Sequence, residues 1–263
     1  MSWAAEGLKQ PKEKKMKKLH SLTAIGFLLL AYLILFGGTS TARGEPFIDL
    51  YYARVIPQRS HVKEKSSAPF RLTIQDGKFD TYSNGGARIG WWFGGQPSEG
   101  DPVPVIGASI DVFHFKPDFD RQVRDSTLDG TPGNGVFEKI DIDVTVIGLN
   151  LMVRTLLFTT PKAPQGQVQL YLGAGPAAFV TSFIDRGNFV PSDQRRLGVF
   201  PGLDTKTGLK LFITKNLAIF GEYRFTMHSP EVKFRDGGNR ERLSTTFRTH
   251  HVGGGISLHF FVP

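Results

Sequence analysis

The chain has 263 residues with 12% aromatic and 21% charged side chains, a composition that excludes a disordered chain. It contains no cysteine, which excludes a disulfide scaffold, a thiolate metal site and a cysteine nucleophile. Its formal net charge of +8 does not indicate nucleic-acid binding, because residues 1–44 hold seven Lys and Arg against two acids, while the remainder, with 25 bases and 22 acids, is close to neutral.

The first element has the pattern of an export signal. Six lysines precede the apolar run from Leu22 to Phe36, and small and polar residues follow it. This order is typical of a secretory signal peptide. An uncleaved membrane anchor is the alternative, but the run of 15 residues is shorter than the roughly 20 that span a bilayer. We therefore predict a signal peptide over residues 1–44, followed by a mature domain over 45–263.

The translation start and the cleavage site of this signal peptide each have two candidates. Cleavage after Gly44 leaves Glu45 as the first mature residue, and cleavage after Ala42 fits the same small-residue rule. Translation starts at Met1 or at Met16, since Met16 itself begins a conventional signal sequence. In the second case residues 1–15 are an upstream extension.

The mature part has the pattern of β-strands. Apolar and polar residues alternate with a period of two in blocks separated by Gly, Pro, Asp, Asn and Ser, which predicts strands rather than helices. Connections after the second, fourth and sixth blocks are short, and those after the first, third, fifth and seventh are longer. A bulge is expected near Val146–Ile147, where the apolar phase of the fourth block switches. The eight blocks are 46–56, 78–94, 103–116, 138–157, 166–183, 199–213, 216–228 and 243–261.

The two faces of these blocks differ in charge. In 216–228, for example, one face carries Ile219 and Tyr223 and the other carries Glu222 and Arg224. A soluble, lipocalin-like periplasmic binder would turn the apolar faces inward, whereas a transmembrane barrel would turn them toward lipid. The signal peptide, the even number of blocks and the alternating connection lengths favour an eight-stranded antiparallel up-and-down transmembrane barrel.

Aromatic residues near the ends of the apolar faces agree with this interpretation. Aromatic side chains are enriched at the bilayer boundary, where one edge of the ring stays wet. Closure of the sheet is expected because an open strand edge in hydrocarbon would leave backbone groups without partners. The predicted interfacial aromatics are Trp91, Phe93, Phe158 and Phe260.

The mature chain also resembles the OmpA-like family of bacterial outer-membrane β-barrel domains. The resemblance implies a barrel in the cell outer membrane with both mature termini in the periplasm, a structural or surface-interaction role, and contact with outer-membrane lipids, lipopolysaccharide and the barrel-assembly machinery. Members typically end on an aromatic residue, and here Phe260 keeps that phase although three residues follow it. The segments that carry the resemblance are 45–51, 86–93, 169–176, 215–225 and 249–260.

The faces that would line the lumen carry acids and bases in near balance. A narrow barrel crowded with opposite charges favours a paired plug, because each buried charge needs a partner to offset its desolvation. A narrow pore and a ligand site are the alternatives. The predicted lumen network comprises Asp49, Arg88, Asp111, Arg154, Asp204, Lys206, Lys210, Glu222 and Arg224.

Other chemistries have weaker signals. A lipid A-modifying barrel enzyme would need a Ser and a His in reach, and the candidates are Ser257, His259, His250, His251 and Asp125-Ser126; we expect these to be structural. The acids of the segment 117–135 lack EF-hand spacing, and the basic segment 57–77 could meet the phosphates of lipopolysaccharide; both are expected to be surface loops. We expect no catalysis, metal or cofactor, no nucleic-acid partner, and a monomer.

Overall fold

Strands make up the regular structure of the described chain. The computed structural model describes residues 44–66, 71–77, 82–93, 104–117, 122–128, 131–137, 140–160, 165–185, 196–236 and 239–260. Within these ranges no helix is long and apolar enough to cross a membrane. The strands are β1 (Gly44–Pro57), β2 (Ser60–Ser66), β3 (Arg71–Gly77), β4 (Tyr82–Phe93), β5 (Pro104–Phe115), β6 (Gln122–Leu128), β7 (Thr131–Phe137), β8 (Ile140–Leu157), β9 (Val168–Asp185), β10 (Arg196–Phe212), β11 (Leu217–His228), β12 (Glu231–Asp236), β13 (Asn239–Thr245) and β14 (Phe247–His259).

Eight of these strands close into an antiparallel barrel in the order β1-β14-β11-β10-β9-β8-β5-β4, and β4 pairs back onto β1. The predicted strands and their up-and-down order are confirmed. We call the end with the connections β4 to β5, β8 to β9 and β10 to β11 the lower end, and the opposite end the upper end. At the lower end β10 and β11 are joined by 213–216, where the Thr214 hydroxyl accepts hydrogen bonds from the amides of Asn216 (3.3 Å) and Leu217 (3.0 Å).

Burial along the barrel strands follows a period of two. In β1 the side chains from Phe47 to Val55 alternate between buried and exposed, and the same alternation holds in β11. Successive side chains of a strand point to opposite faces of the sheet, so each barrel strand contributes one row to the interior and one row to the outer wall.

The bulge expected near Val146–Ile147 is absent from β8. Pairing with β5 keeps one register from Val144 through Thr155, and the even-numbered side chains stay inside. The change in apolar phase has another cause: near the upper end the interior itself becomes apolar, with Val144 and Val146 fully buried. The sequence pattern switches because the inward-facing residues of β8 change from apolar to partly polar, while the strand continues without a break.

A second sheet extends the barrel at the upper end. Its order β12-β13-β2-β3-β6-β7 repeats the order of the barrel strands β11, β14, β1, β4, β5 and β8, to which these strands are connected in the chain. The prediction that 57–77 and 117–135 are loops is therefore wrong, since they contain β2, β3, β6 and part of β7. The position above β9 and β10 has no counterpart among the described residues of this extension.

Candidate functional site

The interior of the barrel collects the charged side chains. The structure places all nine predicted lumen residues there, and Glu45, which the sequence analysis had not assigned to the lumen, joins them. Each of these ten side chains is at least nine-tenths buried. The set consists of five carboxylates and five cations: Glu45, Asp49, Asp111, Asp204 and Glu222 with Arg88, Arg154, Lys206, Lys210 and Arg224.

Asp111 lies at the middle of a central network. Its carboxylate accepts hydrogen bonds from Arg88 Nε (2.9 Å), Lys206 Nζ (2.7 Å) and Arg224 Nη2 (2.7 Å). These cations come from β4, β10 and β11, so that the ion pairs cross the lumen as well as joining neighbouring strands. The register places Arg88 directly opposite Asp111 in the β4–β5 pair, and the other two reach Asp111 from distant strands.

Arg88 links this network to two further acids. Its guanidinium donates to Asp49 (2.9 Å) and pairs with Glu222. Glu222 also accepts hydrogen bonds from the Tyr171 hydroxyl (2.8 Å) and from Arg224 Nη2 (3.0 Å). Charge-assisted hydrogen bonds are roughly twice as strong as those between neutral groups, and here those of Arg88 join β4 to β1, β5 and β11.

A lower cluster occupies the interior near the lower end. Arg154 Nη1 donates to Glu45 (2.9 Å) and to Gln169 (3.2 Å), and the guanidinium lies 4.6 Å from the centre of the Trp92 ring. The Phe47 ring stacks on Trp92, with 5.5 Å between the ring centroids. A cation over an aromatic face is attracted by the ring quadrupole, so aromatic rings and the ion pair close the lumen together at this end.

Between these two groups lies a chain of hydrogen bonds with the residue types of a hydrolase triad. Ser257 Oγ and His259 Nε2 are 2.8 Å apart, and His259 Nδ1 contacts Glu45. Ser257 Oγ also bonds to Asp49 and to Lys210 Nζ (2.7 Å). Ser257 and His259 are both 0% exposed. A nucleophile must be reached by its substrate. Because Ser257 and His259 are enclosed, these hydrogen bonds stabilise the interior, and a substrate does not reach Ser257 Oγ.

An upper cap of apolar and aromatic side chains covers the central network. Phe113 and Phe115 stack at 6.1 Å, and the His251 ring meets both of them edge-on. Phe179 stacks on His228 at 4.1 Å, and Phe247 stacks on the same ring at 5.2 Å. The remaining members of the cap are Val55, Ile142, Val144 and Val146.

Inward-facing glycines make room for these large side chains. A Cβ atom at Gly208 would lie 2.4 Å from the Tyr171 hydroxyl, and a Cβ at Gly173 would lie 3.1 Å from Cγ of Lys206. Tyr171 and Lys206 therefore occupy space that a side chain at Gly208 or Gly173 would take. A Cβ at Gly253 would lie 2.2 Å from the backbone oxygen of Tyr52, so this glycine allows the neighbouring strands to approach closely.

The outer wall has the opposite character. Leu50, Tyr52, Leu172 and Leu211 are each between 42% and 65% exposed, and apolar side chains like these face outward on every barrel strand. An apolar wall around a charged interior reverses the arrangement of a soluble protein and suits a hydrocarbon surrounding. The soluble, lipocalin-like alternative is therefore wrong, and the barrel is of the transmembrane type.

The predicted interfacial aromatics lie on this wall near the lower end. Phe93, Phe158 and Phe260 are 51%, 69% and 47% exposed, and Trp91 is half-buried on the same face. Phe158 has a positive φ of 56° where the chain leaves β8. Trp92, next to Trp91, turns inward and belongs to the lower cluster.

Comparison with known proteins gives matches among solved structures. No protein-family model matches the chain, and no curated protein matches it in sequence. Similar solved structures include OprG from Pseudomonas aeruginosa, 14% identical with a TM-score of 0.48 over 85% of this chain and 99% of that one. Neisserial surface protein A is 15% identical with a TM-score of 0.40 over 82% and 97% of the two chains.

A further similar structure is the outer membrane protease OmpT from Escherichia coli, 8% identical with a TM-score of 0.38 over 85% of this chain and 99% of that one. These structures are bacterial outer-membrane barrels. Similarity at this level does not indicate an activity, and the fold is assigned from the strand pairing of this chain.

Several interior residues were missed by the sequence analysis. Glu45 was taken for the first residue after cleavage, although its spacing of four from Asp49 puts it in the same phase of β1 and would have indicated an inward position. Tyr51 and Tyr171 could have been found in the same way. Of the other candidates, His251 bonds to Asn84 (2.9 Å) and Thr226 (3.1 Å) inside the barrel. Among the described residues no group of acids and histidines is arranged to hold a metal ion.

Proposed function

We propose that the protein is an outer-membrane barrel with a closed lumen, which anchors the extension formed by β2, β3, β6, β7, β12 and β13 at the cell surface. In this orientation the lower end faces the periplasm and the upper end faces outward, as the short and long connections of such barrels do. Residues 1–43 lie outside the described part of the chain, and their removal as part of a signal peptide belongs to the proposal. So do a monomeric state and assembly by the barrel-assembly machinery.

The pairing of five carboxylates with five cations inside one narrow barrel carries the proposal. A water-filled channel would hold its charges apart in solvent, whereas here each of the ten is buried, and distances such as 2.7 Å between Lys206 and Asp111 leave no water between partners. Eight strands enclose an interior that side chains just fill. The upper cap and the lower cluster add two further layers to this filling.

The extension supports a role at the surface. It raises six paired strands beyond the barrel, and its two edges, β12 and β7, remain without a described neighbour. Strand edges offer unpaired backbone groups that can add a strand from another protein. A rigid barrel that presents such a sheet suits a structural or interactive role better than catalysis. The absence of enzymatic activity remains a prediction.

Conductance in a planar lipid bilayer tests the closed lumen. The purified barrel is expected to give no discrete current steps. The paired variant Glu222→Ser with Arg224→Ser removes one acid and one base from the lumen without leaving a net charge, so it is expected to open a measurable current.

Folding of both proteins is checked by the faster migration of the unboiled barrel on a denaturing gel. Steady single-channel openings of the unmodified protein, equal in size to those of the paired variant, would show that the lumen is a pore.

A further inference from the structure

Two arginines stand on the apolar outer wall. Arg54 in β1 and Arg248 in β14 are exposed, and Arg54 lies between Tyr52 and Ile56, whose side chains are 65% and 44% exposed on the same face. In the described part of the chain neither arginine is paired with a carboxylate. The exposed Lys116, directly after β5, by contrast lies 3.2 Å from Asp143.

A fixed polar framework lies between these arginines. The His250 ring is held by hydrogen bonds to the Tyr223 hydroxyl (2.6 Å) and to the Gln58 amide (2.6 Å). Arg54 is directly opposite Val252 in the pairing of β1 with β14, and the backbone N–H of Gln58 donates to the carbonyl oxygen of Arg248 (2.8 Å). Arg54, His250 and Arg248 therefore lie within a few strand spacings of one another near the upper end.

An apolar groove begins beside this framework. It has a volume of about 610 Å³, and Tyr223 forms one end of it. Leu151 and Leu172 line it together with the smaller side chains of Ala174 and Thr205. The groove is open to the surroundings of the wall, which are hydrocarbon in the membrane.

The arginine and the groove lie on one row of directly paired residues. Arg54 pairs with Val252, Val252 with Tyr223, and the row continues through β10, β9 and β8 to Ile106 on β5. From Tyr223 to Ile106 it crosses four strand spacings, about 19 Å. Ile106 is near the start of β5 and Tyr223 near the middle of β11, so the row descends toward the lower end as it leaves the arginines.

We propose that this surface is a binding site for an anionic lipid with a phosphate headgroup, in the leaflet at the upper end. The headgroup lies on Arg54 and Arg248, and one acyl chain lies along the groove from Tyr223 to Ile106. The length of the groove is comparable with the half-thickness of the hydrocarbon core, about 15 Å. The site rests on the proposed function, since it requires the wall to face lipid.

The chemistry of the headgroup follows from the arginines. A guanidinium presents several donors in a fork that matches a phosphate, and it keeps its charge in a poorly hydrated setting. An arginine at the edge of a membrane is costly unless an anion neutralises it. Since these two arginines have no carboxylate partner among the described residues, a lipid headgroup is the anion that fits this position. Tyr223 connects the two parts, since it lines the groove and bonds to His250.

Native mass spectrometry of the purified barrel in mixed micelles tests the site. The probes are dioleoyl phosphatidylglycerol, which is anionic, and dioleoyl phosphatidylcholine, which has no net charge, in equal amounts. The unmodified barrel is expected to retain phosphatidylglycerol preferentially. In the double variant Arg54→Gln with Arg248→Gln, the ratio of retained phosphatidylglycerol to retained phosphatidylcholine is expected to fall roughly fivefold for each arginine replaced.

Two further variants separate the parts of the site. Lys116→Gln removes a cation that already has a carboxylate partner, so it is expected to keep the preference. Thr207→Trp fills the groove without changing charge, and it is expected to lower retention of phosphatidylglycerol. All four proteins must show the faster unboiled band, which tests the barrel separately from the lipid site.

Equal retention of the two lipids by the unmodified barrel would overturn the proposal, and so would unchanged retention in the double arginine variant. Loss of retention in the arginine variant together with full retention in Thr207→Trp would show that a headgroup binds without a chain in the groove, which contradicts the site as proposed. A barrel that folds, stays non-conducting and shows no lipid preference would leave the proposed function standing and remove only this inference.

Discussion

Asp111 shows how single residues hold the interior together. It accepts charged hydrogen bonds from Arg88, Lys206 and Arg224, which come from strands on different sides of the barrel. Removing one member of a buried ion pair leaves the others unpaired in a low-dielectric setting, and this costs more than the pair itself contributes. The most sensitive positions of the protein are therefore the interior carboxylates with several partners.

Replacing Asp111→Asn is expected to lower the free energy of unfolding by about 3–5 kcal/mol, since three cations lose their shared carboxylate. The matched control is Asp143→Asn on the outer wall, where the partner Lys116 is 61% exposed and the expected loss is at most about 1 kcal/mol. Urea titration of the two variants in lipid vesicles measures both values. Equal midpoints would contradict a central role for Asp111.

The buried Ser257 and His259 give a second prediction at this scale. A fluorophosphonate probe, which labels serine nucleophiles, is expected to leave the folded barrel unlabelled because Ser257 Oγ is enclosed and bonded to Asp49 and Lys210. Labelling that disappears in Ser257→Ala would instead identify an accessible nucleophile and reopen the enzyme alternative.

At the scale of the strand, the division into an apolar wall and a charged interior governs tolerance to substitution. Ile219 in β11 is 44% exposed on the wall. The change Ile219→Lys is expected to lower the free energy of unfolding by up to roughly 2–4 kcal/mol, the range for a lysine that faces lipid at the bilayer midplane. Urea titration in vesicles measures this change. Gln167→Lys in the exposed connection at the lower end is the control, with an expected change close to zero. A similar cost for both would place the wall outside the membrane.

The eight barrel strands could be predicted from the sequence because each must alternate between lipid and interior. The strands of the extension could not, since a segment such as Ser60–Ser66 carries several charges and no apolar face. The phase change at Val146–Ile147 was misinterpreted as a bulge because periodicity shows only which face of a strand is apolar. It does not show that the interior is apolar near the upper end and charged in the middle. Glu45 was missed because it directly follows the predicted export signal, where the alternation of β1 has only begun.

The hairpin of β6 and β7 is expected to be dispensable for the barrel. The strand pairings described for it join β6 to β3 and β6 to β7, and none of these pairings involves a barrel strand. A variant lacking residues 122–137 is expected to keep the faster unboiled band on a denaturing gel. Loss of that band would mean that the extension and the barrel fold as one unit.

For the whole molecule, the three interior layers and the wall give one consistent account. Aromatic rings and an ion pair close the lower end, a network of charges fills the middle, and the upper cap covers it. The charges are buried only while the barrel is closed, and the apolar wall is covered only in lipid, because in water it would be exposed. Stability and membrane insertion are therefore expected to depend on each other.

The most direct test of the closed membrane barrel is heat-modifiability of the protein from sucrose-gradient membrane fractions, run unboiled and boiled on a denaturing gel. The account predicts an unboiled band that migrates faster than the boiled one and is found in the outer-membrane fraction. A single band at one position, found in the soluble periplasmic fraction, would contradict it.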